Sequence, residues 1–166
     1  MKAVLYPNFQ KPNALSCARD VCDVLYNANI EVSVSGDFQS EFSDKTYVQF
    51  EDIKESVETA DFVIAIGGDG TILRCAKLLI GTNTKLLGIN TGTLGFMAGL
   101  EADQLDKLKL LTTGNYEVFE RMTLDIFFCN ENHEETYTVL NEISARSDSF
   151  RICSFEVYSD GYLVGK

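Results

Sequence analysis

No apolar run in this chain approaches the ~18 residues that a membrane-spanning helix needs, and the N-terminus lacks the pattern of a secretory leader. A cytoplasmic protein with no membrane partner is expected. Basic residues are scarce, 14 Lys and Arg against 25 Asp and Glu, for a formal charge of −11. So acidic a surface recovers no counterion-release energy from a polyanion, which excludes nucleic acid as a partner. Any phosphate site must therefore be local, built from backbone amides and one or two basic side chains. The five cysteines (Cys17, Cys22, Cys75, Cys129 and Cys153) are odd in number and scattered, with no C-x-x-C. Neither a disulfide framework nor a zinc site is indicated, and they are expected to act as small buried hydrophobes. No metal site made by protein side chains is expected. The single histidine, His133, sits in the polar stretch Asn130 to Glu135 and reads as a surface imidazole. Internal repeats, low-complexity tracts and Ser/Gly linkers are also missing.

What is present is enough for one good core, or for one domain and part of a second: 166 residues, 45% hydrophobic. Phe62 to Ile66 is a short β-rich apolar run that meets Gly67-Gly68-Asp69-Gly70. Ile72, Leu73, Ala76, Leu79 and Ile80 then follow at helical spacing. The stretch reads as strand, tight turn, helix. In a parallel sheet such a turn lies beyond the carboxyl ends of the strands, where helix N-termini present unpaired N–H groups to anions. Glycine lets a ligand approach the backbone closely, and Asp69 supplies a carboxylate beside it.

Lys2 to Tyr6 is expected as a buried first strand. Ala14, Ala18, Val21, Cys22, Leu25 and Ala28 lie at helical spacing, with Asn13 as N-cap, and Ile30, Val32 and Val34 alternate as in a strand. Residues 35–50 are polar without a steady period and are expected to form a loop. Ile53, Val57 and Ala60 mark one face of a short acidic helix. Lys85 to Ile89 forms another strand, followed by the loop Asn90-Thr91-Gly92-Thr93-Leu94-Gly95-Phe96, and Leu105, Leu108 and Leu111 share a helix face. This alternation implies an α/β fold with a doubly wound, mostly parallel sheet over residues 1–114. From residue 115 to 166 the pattern turns all-β and antiparallel, as in a sandwich. Leu124, Ile126 and Phe128 alternate, Tyr137 and Val139 alternate, and Ile152 to Tyr158 is a strand closed by the hairpin signal Asp160-Gly161. This β domain has too few strands to cover a core and is expected to be incomplete.

Gly-Gly-Asp-Gly alone is a weak signal; Asp69 could simply cap the following helix. Its context is stronger, because two glycine loops, at Gly67 and Gly92, both follow strands and should open on one sheet edge. The dinucleotide fingerprint and the Walker A pattern are both absent. Arg74, read as lying in the first helical turn, opposes the macrodipole and is reasonable if a phosphate sits there; otherwise it is a solvated arginine. Asn141-Glu142 pairs an amide with a carboxylate at a strand end, where a merely solvated pair is the bland alternative, and Phe96 could be core.

Together these residues resemble the NAD kinases. The likeness rests on Gly67-Gly68-Asp69-Gly70-Thr71, on Gly88-Ile89-Asn90-Thr91-Gly92-Thr93-Leu94-Gly95-Phe96, on Glu120-Arg121-Met122-Thr123-Leu124, and on Leu140-Asn141-Glu142. The second of these separates the chain from lipid kinases and phosphofructokinases. The resemblance implies transfer of the γ-phosphoryl of ATP, with a divalent metal (Mg or Mn), to the 2′-hydroxyl of the adenosine ribose of NAD. It assigns Asp69 as the base, Gly70 as a contact to NAD and phosphate, and Gly67 and Gly68 as lining the triphosphate path. Asn141 and Glu142 would hold NAD, Phe96 would pack near the adenine, and Arg74 would contact phosphate or NAD. It further implies a homo-oligomer in which a neighbouring subunit helps complete the NAD site. The Thr/Gly/Ser/Ala/Tyr-rich loop of the family does not occur before Lys166. An N-terminal fragment that transfers phosphate poorly by itself is therefore expected. The alternatives are a non-catalytic nucleotide-binding or assembly module, and a lipid or sugar kinase sharing the Gly-Gly-Asp-Gly turn.

Overall fold

The computed structural model describes residues 1–92, 95–130, 133–145 and 154–166. Cys153, Thr93 and Leu94, the Glu131-Asn132 turn and the beginning of the strand expected from Ile152 lie outside the described residues, as does the His133 side chain.

Six strands form one parallel sheet: β1 (Lys2–Pro7), β2 (Glu31–Ser35), β3 (Val48–Glu51), β4 (Phe62–Gly67), β5 (Lys85–Asn90) and β6 (Leu100–Glu101). Their spatial order is β3-β2-β1-β4-β5-β6, so the winding reverses between β1 and β4. Register there pairs Val4 with Val63 and Leu5 with Ile64. Every residue of β4 is buried, as expected of a central parallel strand covered on both faces.

The two faces have separate cores. One carries α1 (Ala14–Asn27), whose Ala18, Val21, Cys22 and Leu25 are buried against Leu5, Ile64 and Ile66, with Leu108 and Leu111 beside them. The other carries α2 (Ile53–Thr59) and α3 (Asp69–Leu78), through Val57, Ile72 and Cys75 against Val4, Val63 and Ala65. Helices on both faces make the sheet doubly wound. Asp52 caps α2, its Oδ1 accepting from Lys54 N at 2.8 Å and Glu55 N at 3.3 Å.

Several expectations change. Asn13 stands at the start of α1 in a left-handed conformation and makes no side-chain cap bond. Residues 35–50 are ordered: a 3₁₀ segment, Gly36–Phe42, buries Phe42, and Val48–Glu51 adds an edge strand. That region is fastened to α1 by ion pairs, Lys45 Nζ to Asp23 at 2.6 Å and Arg19 to Asp44 at 2.5 Å. The segment carrying Leu105, Leu108 and Leu111 is 3₁₀ over Leu105–Thr113, closed by Gly114 at φ 70°. The α3 helix begins at Asp69, two residues before Thr71.

Beyond the parallel sheet, β7 (Thr123–Asn130) and β8 (His133–Leu140) form one antiparallel pair. A second pair, β9 (Val157–Ser159) and β10 (Tyr162–Gly165), turns through Asp160 and Gly161 at φ 50° and 82°, the left-handed pair that a type I′ hairpin requires. Their side chains are largely exposed, Phe127 and Tyr162 among them. No helix among the described residues is long and apolar enough to cross a membrane.

Cys17, Cys22 and Cys75 are buried free thiols, whereas Cys129 is exposed, contrary to the expectation of uniform burial. Burial pushes the thiols of Cys22 and Cys75 up to about 12 and that of Cys17 to about 11, which leaves them almost without thiolate at neutral pH. A thiol-reactive disulfide reagent at pH 8 should therefore modify Cys129 rapidly in the native protein, and Cys17, Cys22 and Cys75 only in denaturant. Rapid native labelling of Cys75, read by mass spectrometry, would contradict this packing.

Candidate functional site

The reversal of strand order puts a crevice at the carboxyl ends of β1 and β4, which are Pro7-Asn8 and Gly67-Gly68. The crevice is tightly made. Asn8 N donates to Ile66 O at 2.9 Å, and Asn8 Nδ2 donates to the Thr71 hydroxyl at 3.1 Å. Thr71, 1% exposed, sits where a side chain at Gly67 would be: a Cβ there would lie 2.5 Å from Thr71 Oγ1. Gly67 is thus a glycine for packing reasons.

Gly68 and Gly70 differ. Added Cβ atoms would meet nothing within 4 Å at either position, and neither residue has a positive φ. Glycine in an element interior costs roughly 0.5–1 kcal/mol relative to alanine, yet no contact in the fold requires it here. Two bare positions at the start of a helix, beside unpaired N–H groups, leave the backbone open to a ligand.

Asp69 is the first residue of α3 and does not cap it; the N-cap is Gly68, without a side-chain cap bond. The carboxylate instead reaches across to the loop after β5. Phe96 N donates to its Oδ2 at 3.0 Å and Met97 N to its Oδ1 at 3.1 Å. The two glycine loops therefore open on one edge, as the sequence suggested, with Asp69 joining them. The second loop is anchored by Asn90, 2% exposed, whose Nδ2 donates to Glu101 Oε2 at 2.9 Å and whose Oδ1 accepts from Gly92 N at 3.2 Å. Thr91 N donates to Gly67 O at 3.1 Å, closing the gap between β4 and β5. Asn8, Asn90 and the two amides at 96 and 97 were not singled out from sequence. The strand-order reversal between β1 and β4 is what points to Asn8.

Phe96 is not core: it is 89% exposed. It borders a mainly apolar cavity of about 670 Å³ with Met97, Leu108, Tyr116 and Leu140. Arg74 is exposed and lies in the second turn of α3, because the helix starts earlier than expected. Its conflict with the macrodipole, which acts mainly within the first turn, is correspondingly weak. It borders a separate cavity of about 250 Å³ at the ends of β1 and β2, with Asn8, Asp37 and Tyr6, and reaches Thr71 Oγ1 only at 3.5 Å. Asn141 and Glu142 are exposed and directly follow β8, the strand that packs against α3. Among the described residues, no group of three or more His, Cys, Asp or Glu side chains could hold a metal ion.

The family model for the ATP-NAD kinase N-terminal domain matches residues 4–116. An NAD kinase of Moorella thermoacetica is 34% identical over 157 residues, covering 92% of this chain and 49% of the relative. One from Natranaerobius thermophilus is 33% identical over 162 residues, covering 95% and 55%. The chain thus spans about half the length of these curated relatives. A crystal structure of yeast NADH kinase complexed with NADH superposes with a TM-score of 0.72 at 17% identity, over 84% of this chain and 46% of that one; at that identity the likeness is one of fold.

The different reasons for glycine at 67 and at 70 give a direct test. Gly67→Ala should lower stability by about 1–3 kcal/mol through the collision with Thr71, whereas Gly70→Ala should leave it unchanged or raise it by up to ~1 kcal/mol. Urea denaturation of both variants checks the pair, and equal losses would refute the distinction.

Proposed function

The chain belongs to the NAD kinase family, and from that premise we propose that its site transfers the γ-phosphoryl group of ATP to the adenosine ribose 2′-hydroxyl of NAD, giving NADP. The observation that carries this is a carboxylate, Asp69, standing at a helix N-terminus between two glycines that the fold leaves bare. Phosphoryl transfer calls for positioning and charge neutralisation, with a carboxylate to take the hydroxyl proton. Asp69 is the base in this reading. Gly67, Gly68 and Gly70 line the phosphate path with their backbone, and Gly70 also faces NAD. Phe96, its ring free, packs beside the adenine, Asn141 and Glu142 hold NAD, and Arg74 contacts a phosphate.

A divalent metal, Mg or Mn, supplies charge neutralisation on the transferring phosphoryl group. The residues around the glycine turn fit a metal that arrives with ATP rather than one caged by protein, since Asp69 is the single carboxylate at the turn and each of its oxygens already accepts an amide. We further propose a cytoplasmic homo-oligomer in which a neighbouring subunit completes the NAD site. Residues 1–114 form the α/β domain and 115–166 part of a β domain that contributes to NAD binding. In this reading the 166-residue chain turns over slowly by itself, because Asn141 and Glu142 follow a two-stranded sheet that is largely exposed.

The competing reading is a nucleotide-binding module without catalysis, favoured by that same exposure. Calorimetric titration with NAD and with ATP, run beside a sensitive NADP-forming assay, separates the two: binding without any product supports the module. Asp69→Asn should lower turnover by about 10²- to 10⁴-fold, the usual contribution of a positioned base. Undiminished NADP formation by that variant would remove Asp69 from the chemistry.

A further inference from the structure

We propose that Gly95, with the backbone amides of Phe96 and Met97, is the positioning element that sets the Asp69 carboxylate, an inference that rests on reading Asp69 as the base. The two amides take one oxygen each, at 3.0 and 3.1 Å, so the carboxyl group is held against rotation. A carboxylate has about four lone-pair sites. Two remain free for a substrate hydroxyl, and the clamp orients the base without occupying it.

Gly95 makes the approach possible. A Cβ at this position would stand 2.7 Å from Asp69 Oδ1 and 3.5 Å from its Cγ. The obstacle is a short side chain already fixed at both oxygens, with no stem along which to swing aside while keeping both bonds. The residue at 95 therefore decides where the carboxylate sits. The same backbone carries Phe96, whose N–H is bonded to Asp69 while its ring is 89% exposed. The base and the ring assigned to the adenine are thus set by one stretch of main chain. Displacing a reacting group by ~1 Å costs on the order of 10²-fold in rate.

The test combines Gly95→Ala, Asp69→Ala and the double variant, read by amide hydrogen exchange and by NADP formation. Asp69→Ala opens space rather than filling it, so it reports on the clamp even where Gly95→Ala is strained. In both single variants the Phe96 and Met97 amides should exchange about tenfold or more faster, and the double variant should add nothing further, because both changes break one interaction. Gly95→Ala keeps the carboxylate, yet its kcat should fall on the order of 10²-fold with KM for ATP unchanged. Gly36→Ala, where an added Cβ meets nothing within 4 Å, should alter neither readout. If Gly95→Ala retains wild-type kcat, or leaves the two amides at wild-type protection, the positioning role is overturned. If Asp69→Ala retains turnover, the base reading fails instead, whatever the amides do.

Discussion

The carboxylate of Asp69, bonded to the amides of Phe96 and Met97, ties the helix that follows β4 to the loop that follows β5. That bridge is one of three contacts in the first turn of α3 that use the space of a missing side chain. Asp69 fills the room at Gly95, Thr71 the room at Gly67, and Ile72 the room at Gly88, where a Cβ would lie 2.4 Å from its Cδ1. Three residues in the first turn of one helix are thus keyed into glycines on three segments. A tightly packed interior responds to even one added methylene, so the orientation of α3 over the sheet edge leaves little freedom. Gly68 and Gly70 stand between these keyed positions and are keyed to nothing, which separates glycines that serve the fold from glycines that leave the surface open.

The parts of the fold readable in the sequence are those where one physical signal dominates. Phe62 to Ile66 is uninterrupted, apolar and β-branched, and it is the fully buried central strand. Asp160-Gly161 needs two left-handed residues and has them. The failures are equally specific. Val48-Gln49-Phe50-Glu51 alternates over only four residues inside a polar stretch, and its strand is held by pairing to β2 and by the ion pair of Glu51 with Lys2, neither of which local pattern contains. Leu105, Leu108 and Leu111 repeat every three residues, which suits 3₁₀ geometry as well as one face of an α-helix. Leu100–Glu101 is too short to carry any period.

For the site the same division holds. The turn that the proposed chemistry would use was legible from composition and order: three glycines around an aspartate after a buried strand, and a second glycine loop after another. How they are joined was not. The bonds from Asp69 to residues 96 and 97 span 27 and 28 positions, and no local rule anticipates that a carboxylate at the start of a helix will bond to another loop instead of capping its own. Helical spacing alone places Arg74 in the first turn, and a shift of two positions in the helix start is enough to overstate its tension with the dipole.

The acidity of the chain then takes on a definite meaning. With a formal charge of −11, the long-range field opposes any phosphate, yet between exposed unit charges 4 Å apart the interaction in water is only ~1 kcal/mol and is screened within about 8–10 Å at ordinary ionic strength. Hydrogen bonds to a charged group contribute roughly 1.5–3 kcal/mol each. A few amides at the start of α3 can therefore outweigh the field, provided the anion reaches them, which is what side chains at positions 68 and 70 would prevent. In the proposed reaction the carboxylate itself must be kept off the incoming phosphates while remaining able to accept a proton. Two backbone donors on Asp69 serve the first need by offsetting part of its charge, and by fixing its direction they leave two lone-pair sites open toward the proton. A lysine or arginine partner would also neutralise it, but would sit on a mobile stem and compete for the phosphate, whereas an amide at a glycine loop does neither.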